Sequence, residues 1–179
     1  MTIGCCAWME REWLHSLDAA TKQRFTARRY MDDILMFYAK DGTFDHERFL
    51  QDFQKSECYW EPLTLEPGKE DTFLETRFKI EGGRVTYRLK NDNETEKVVW
   101  RYKHYECEGA RMQKRATMMG TMRRVHNMAS DDDQLVESAA AKLYEFQQLG
   151  YPRALRHYVC SIMARDYSNI TWRYVRGLQ

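Results

Sequence analysis

Asp32 and Asp33 are adjacent carboxylates set between apolar runs in the stretch RRYMDDILMFYAK, residues 28–40. Tyr30, Met31, Ile34, Leu35, Met36, Phe37 and Tyr38 favour burial or strand. In such surroundings the pair repels itself and loses hydration, a cost usually met by a cation. Carboxylates together with a triphosphate's oxygens are what hold Mg²⁺. Two such ions, about 3.5–4 Å apart, can clamp the attacking and leaving oxygens of a phosphoryl displacement. The plain alternative is a solvated turn, because aspartate is common in hairpin turns.

The elements around the pair must present both carboxylates to one place. Neighbouring strand residues point to opposite faces, but a hairpin turn can bring both to one site. RFTARRYM and ILMFYAK read as two strands meeting at Asp32 and Asp33. Before them, residues 3–17 read as a helix, with Cys6, Met9, Trp13 and Leu17 at helical spacing. After them, residues 42–57 read as an amphipathic helix with Phe49, Leu50 and Phe53 inward. Residues 61–71 read as a short strand and turn, punctuated by Pro62, Pro67 and Gly68. The clearest hairpin joins residues 72–80 to 84–91 across Gly82 and Gly83, and a third strand is expected through residues 97–105.

From Glu108 the pattern is helical. Residues 111–128 form one helix and residues 130–150 a second, with acids in its first turn and Gly150 closing it. Residues 151–167 form a third, on which Leu155, Tyr158, Val159, Ile162 and Met163 repeat as one face. The fold class expected is α+β, with a mixed part over residues 1–105 and an all-helical part over residues 106–179.

Composition restricts the classes of function. With 43% hydrophobic and 31% charged residues, the chain can fill a core and does not read as disordered. No apolar run approaches a membrane span, and Glu10, Arg11 and Glu12 interrupt any secretion signal. Five scattered cysteines without CxxC spacing suit a reducing compartment, nuclear or cytoplasmic, and argue against zinc. The net charge of +1 conceals a basic carboxy-terminal part, where Arg111, Lys114, Arg115, Arg123 and Arg124 oppose only Glu108 over residues 108–128.

With those residues set out, YMDD resembles the YxDD box of reverse transcriptases, and RRYMDDILMFY is similar to the form found in Penelope-like and other retroelement polymerases. TFLETRFKIEGGRVTYRLKN resembles the hairpin after that box, the primer grip, although Glu75 stands where an aspartate is usual and YRLKN lacks the usual lysine-proline. The helix over residues 111–128, the one bearing Glu137 and the LGYP step at Leu149–Pro152 resemble the thumb. The likeness covers roughly residues 28–165. It implies that Asp32 binds catalytic Mg²⁺ (or Mn²⁺) and that Asp33 supports it. Tyr30 and Met31 then lie beside the primer terminus, and Phe73 with Leu74 seats the primer strand. The implied partners are an RNA template, a DNA primer and deoxynucleoside triphosphates, with no membrane. The opening residues resemble the tail of a palm helix, so the fingers and the upstream palm strand, with its further metal-binding aspartate, are expected elsewhere in a larger polypeptide. The competing expectation is a non-catalytic nucleic-acid-binding module, or a degenerate relic, derived from such an enzyme.

Other features have two readings each. The basic helix either tracks a template–primer backbone or is a solvated face. Met112, Met118, Met119, Met122 and Met128 read as fillers of the thumb core. Trp172 and Tyr174, interleaved with Arg173 and Arg176, either stack on bases or dock the tail on its own domain. His46, His104, His126 and His157 are isolated and read as surface or packing residues.

Overall fold

A computed structural model describes residues 3–56, 58, 66, 68, 71–91 and 101–179. It is mixed α and β, with helices and two small antiparallel sheets among the described residues. The chain divides into two compact units, residues 1–69 and residues 70–179.

The amino-terminal unit contains α1 (Ile3–Ser16), α2 (Ala19–Lys22), β1 (Phe25–Tyr30), β2 (Asp33–Tyr38) and α3 (His46–Lys55). Asp18 caps α2 by accepting from the Thr21 N–H, and Asp45 caps α3 by accepting from the Arg48 N–H. Aromatic contacts join helices to hairpin: Trp13 lies 4.7 Å from Phe53, and Phe25 lies 4.6 Å from Phe49, between ring centres. Phe49 is buried and Phe53 half-buried, as their spacing predicts, but Leu50 is exposed. The α3 face toward the hairpin is narrow, and Leu50 falls one step beyond it. Asp41 accepts from both the hydroxyl and the N–H of Thr43, which holds its carboxyl down at about 2, with Arg24 assisting at 2.7 Å.

The carboxy-terminal unit begins with β3 (Thr72–Phe73), β4 (Thr76–Glu81) and β5 (Arg84–Leu89), in that order across one sheet. Gly82 and Gly83 join β4 to β5 with φ of 56° and 77°, the pair of positive values that a type I′ turn requires. Four helices follow: α4 (Arg111–Asn127), α5 (Asp132–Gln148), α6 (Arg153–Asp166) and α7 (Ile170–Gly177). The expectation had three; the tail that forms α7 carries its own cap, with Asn169 accepting from the Thr171 N–H at 2.7 Å. Gly150 closes α5 with φ of 77°, and the Tyr151 N–H reaches back to the Phe146 carbonyl at 3.0 Å. A Cβ at Gly150 would lie 2.9 Å from the His104 ring, so glycine is required twice over.

The core of this unit is built from all four helices. Met118, Met122 and Val125 of α4 meet Phe146 of α5, Val159 and Met163 of α6, and Trp172 of α7, each fully buried. Met119 and Met128 pack partly against it, whereas Met112 is exposed at the first turn of α4. Tyr158, expected inward, is also exposed. Leu89 of β5 joins the same cluster, and the Ser130 N–H pairs with the Tyr87 carbonyl along the strand's edge. The hairpin of residues 76–89 therefore belongs with the helices, and the units part at 69/70 rather than at 105/106. Among the described residues the strand beside β4 is β3; of the strand expected over residues 97–105, residues 101–105 form none, and residues 97–100 lie outside the described residues. Most of the strand and turn expected over residues 61–71 lies outside them as well.

One packing detail predicts a response to pH. The Trp172 indole N–H donates to Nδ1 of His126 at 3.3 Å, and the Tyr167 ring lies 3.7 Å from the imidazole. Burial lowers the His126 pKa below its ordinary 6.5, against an opposing pull from the Asp132 charge. The folded state thus prefers neutral imidazole. Its contribution to stability is complete above about pH 6.5 and is lost as pH falls through the depressed folded value. Urea unfolding at pH 7.5 and pH 5 should show acid destabilisation in the wild type and less of it in His126→Asn, which keeps an acceptor near Nδ1 without titrating.

Candidate active site

The β1–β2 hairpin carries the carboxylate pair. Tyr30 pairs with Asp33, leaving Met31 and Asp32 as a two-residue turn. The sequence places the turn one residue later, at Asp32 and Asp33, because aspartate is a turn former and methionine is not. Met31 has φ of 53° while Asp32 does not share it, the pattern of a type II′ turn, whose first position ordinarily takes glycine. A left-handed non-glycine residue costs about 1–2 kcal/mol. Met31→Gly should accordingly stabilise the amino-terminal unit by roughly 1 kcal/mol in chemical denaturation, because glycine removes that cost and returns part of it as chain entropy.

Alternation along the strands settles which groups share a face. Phe25, Ala27 and Arg29 are partly buried, whereas Thr26, Arg28 and Tyr30 are exposed. Asp33 is paired with Tyr30 on the outer face, and Asp32 sits at the tip. Both carboxylates are exposed, and no described residue bonds or pairs with either. Tyr30 and Met31 are also open to solvent, at 56% and 60%. Four of the expected site residues are thus brought together at one hairpin tip.

These groups suit Mg²⁺ in kind: hard oxygen donors, accessible, and in the number a site completed by substrate phosphates uses. Among the described residues no third histidine, cysteine or acidic side chain gathers with them. Nor do they line the open groove of about 490 Å³ between α1, α2 and β1.

In the carboxy-terminal unit, Phe73 ends β3 and Leu74 opens the two-residue turn to β4, with φ of 55° and 45% exposure. This turn repeats the form at Met31: an exposed apolar residue in left-handed backbone at a hairpin tip. Glu75, beside Leu74, pairs with Arg124 of α4 and lies 3.9 Å from Arg101. The Leu74 turn is therefore tied to the helical layer through a charge network that sequence reasoning missed.

The five cations of α4 do not form one stripe. Lys114 is buried and donates to the Tyr105 and Cys107 carbonyls, so it is a structural cation. Arg124 is engaged by Glu75, and Arg123 lies 3.4 Å from Asp166. Arg115 donates to the Tyr158 hydroxyl at 2.5 Å and covers its ring at 4.4 Å. Arg111 is exposed on the same flank one turn earlier, whereas Arg124 leaves from the other flank of the buried face. Arg111 and Arg115, with the exposed face of Tyr158, form the patch best suited to phosphate and base contacts. Trp172 is fully buried and cannot stack on a base; Tyr174, 60% exposed beside Arg173, can.

No protein-family model, no curated protein and no solved structure matches this chain. No helix among the described residues is long and apolar enough to cross a membrane. Cys6, Cys58, Cys107 and Cys160 are free thiols, and burial raises that of Cys160 to about 11, which leaves it inert at neutral pH.

Proposed function

We propose that the chain carries part of the palm and the thumb of an RNA-directed DNA polymerase of a retroelement. The observation that carries this reading is the β1–β2 tip, where two accessible carboxylates, without a partner among the described residues, follow Met31 in a left-handed turn. Backbone strain of this kind persists where surrounding structure holds it, and it clusters at functional sites. The YMDD box and the primer-grip-like hairpin with its Leu74 tip support the same reading.

In this account Asp32 and Asp33 hold divalent cation, Mg²⁺ or Mn²⁺, which supplies neutralisation of charge on the phosphoryl oxygens. Tyr30 and Met31 lie against the primer's terminal nucleotide. Leu74, Arg111 and Arg115 bear on the template–primer duplex. The primer 3′ hydroxyl displaces pyrophosphate from the α-phosphorus of a deoxynucleoside triphosphate, which forms one phosphodiester bond and breaks one phosphoanhydride bond. A further carboxylate and a nucleotide-gripping fingers region are required partners. The test is extension of a labelled DNA primer on an RNA template by the full-length polypeptide with Mg²⁺. Extension that stops on chelation supports the reading; none under any divalent ion contradicts it.

A second reading, a non-catalytic duplex-binding module, is favoured by the lack of a third metal ligand among the described residues. It predicts primer–template binding that is unchanged by Asp32→Asn and by chelation.

A further inference from the structure

We propose that Arg29 is a positioning residue for the carboxylate pair: its guanidinium joins a buried glutamate of α1 to the main chain at the hairpin tip. Nε of Arg29 donates to Oε2 of Glu10 at 2.7 Å, and Nη2 donates to Oε1 of the same carboxylate. The remaining terminal nitrogen, Nη1, donates to the Met31 carbonyl at 2.5 Å. The two side chains are 18% and 9% exposed, so solvent does little to weaken the fork.

The fork acts on the peptide unit that matters. The Met31 carbonyl belongs to the same rigid plane as the Asp32 N–H. Fixing that oxygen fixes the plane from which Asp32 departs. Met31 holds a conformation that a methionine rarely adopts, and such a residue stays there only when its surroundings determine it. Arg29 supplies that determination from the inner face of β1, opposite Ile34, while Glu10 anchors it to α1. Only a guanidinium can do so: its planar fork of donors serves a carboxylate with two nitrogens and a carbonyl with a third. Lysine would hold one partner as a point charge.

This inference rests on the metal-binding reading of Asp32 and Asp33. Support of ligands by a second layer of hydrogen bonds is typically worth 10- to 100-fold in metal affinity. The test measures Mn²⁺ binding to the full chain by loss of the free-ion electron paramagnetic resonance signal, with near-ultraviolet circular dichroism as a check on packing. Variants are Arg29→Ala, Arg29→Lys, Glu10→Gln and Asp32→Asn. Expected are Mn²⁺ binding by the wild type, about a tenfold loss in Arg29→Lys and a larger loss in Arg29→Ala. Glu10→Gln keeps one acceptor oxygen for the fork and sets an amide N–H₂ against its other donor, so it shows a loss smaller than that of Arg29→Ala but above twofold; should the Arg29 variants unfold, it carries the test. Binding within twofold of wild type in folded Arg29→Lys or in Glu10→Gln overturns the positioning role. Failure of the underlying reading looks different: wild type and Asp32→Asn then bind Mn²⁺ identically or not at all, and the positioning role falls with it.

Discussion

If the chain is part of a polymerase as proposed, Asp32→Asn should lower primer extension by the full-length polypeptide at least about a hundredfold, with primer–template affinity nearly unchanged. The substitution keeps the size of the side chain and removes the charge proposed to bind cation. Asp32 is exposed at the hairpin tip with no described partner, so its loss breaks no internal contact and leaves the fold intact. Removing one preorganised group that stabilises transition-state charge typically costs about 10²- to 10³-fold in rate. Asp33→Asn should act in the same direction by less, since Asp33 lies on the outer face paired with Tyr30 and, in the proposed reading, supports Asp32. The two variants should differ in Mg²⁺ dependence: raising the ion concentration recovers part of the Asp33→Asn activity and little of the Asp32→Asn activity. Equal extension by Asp32→Asn and wild type would remove the enzyme reading.

Lys142→Met destabilises the carboxy-terminal unit by about 3–5 kcal/mol, because it strands a buried carboxylate. Lys142 and Glu145 lie one turn apart on α5, paired at 2.8 Å, with side chains only 4% and 2% exposed. The Lys142 ammonium also stands 6.0 Å from the centre of the Tyr102 ring. Even as it stands the pair is incompletely satisfied, since no described residue bonds the second Glu145 oxygen, Oε1. Such a pair returns little net stability beyond what its desolvation costs. The double change Lys142→Met with Glu145→Leu should therefore restore wild-type stability or exceed it by about 1–4 kcal/mol. Chemical denaturation of the two singles and the double closes the cycle; singles within about 1 kcal/mol of wild type would contradict burial of the pair.

The sequence made the helices and the glycine hairpin legible because local rules agree there. Asp131 at the cap, acids in the first turn and Gly150 at the end delimit α5 whatever surrounds it. Periodicity located the buried face of α6 but not its width. Val159 and Met163 are buried, Tyr158 is exposed, and Arg156 is buried because its Nη1 donates to the Tyr151 carbonyl at 2.6 Å. The placing of the carboxylate pair at a hairpin tip was legible, but its turn lay one residue out, since Met31 stands in left-handed backbone with its carbonyl bonded by Arg29 from outside the turn. The cations of α4 illustrate the same limit. Composition offered five phosphate contacts, but three are absorbed by acids distant in sequence or by loop carbonyls: Arg124 by Glu75, Arg123 by Asp166, and Lys114 by the carbonyls of Tyr105 and Cys107. Contacts of that kind depend on which segments meet, which no local spacing encodes.

The most direct test of metal binding at the hairpin tip is anomalous diffraction from the full-length polypeptide crystallised with an RNA–DNA primer–template, an incoming nucleotide and Mn²⁺. The account predicts an anomalous peak bonded to an Asp32 carboxylate oxygen at about 2.1–2.3 Å, shared with a phosphate oxygen and lost in Asp32→Asn. Nucleotide bound with its metal elsewhere, and both carboxylates facing open solvent, would contradict it.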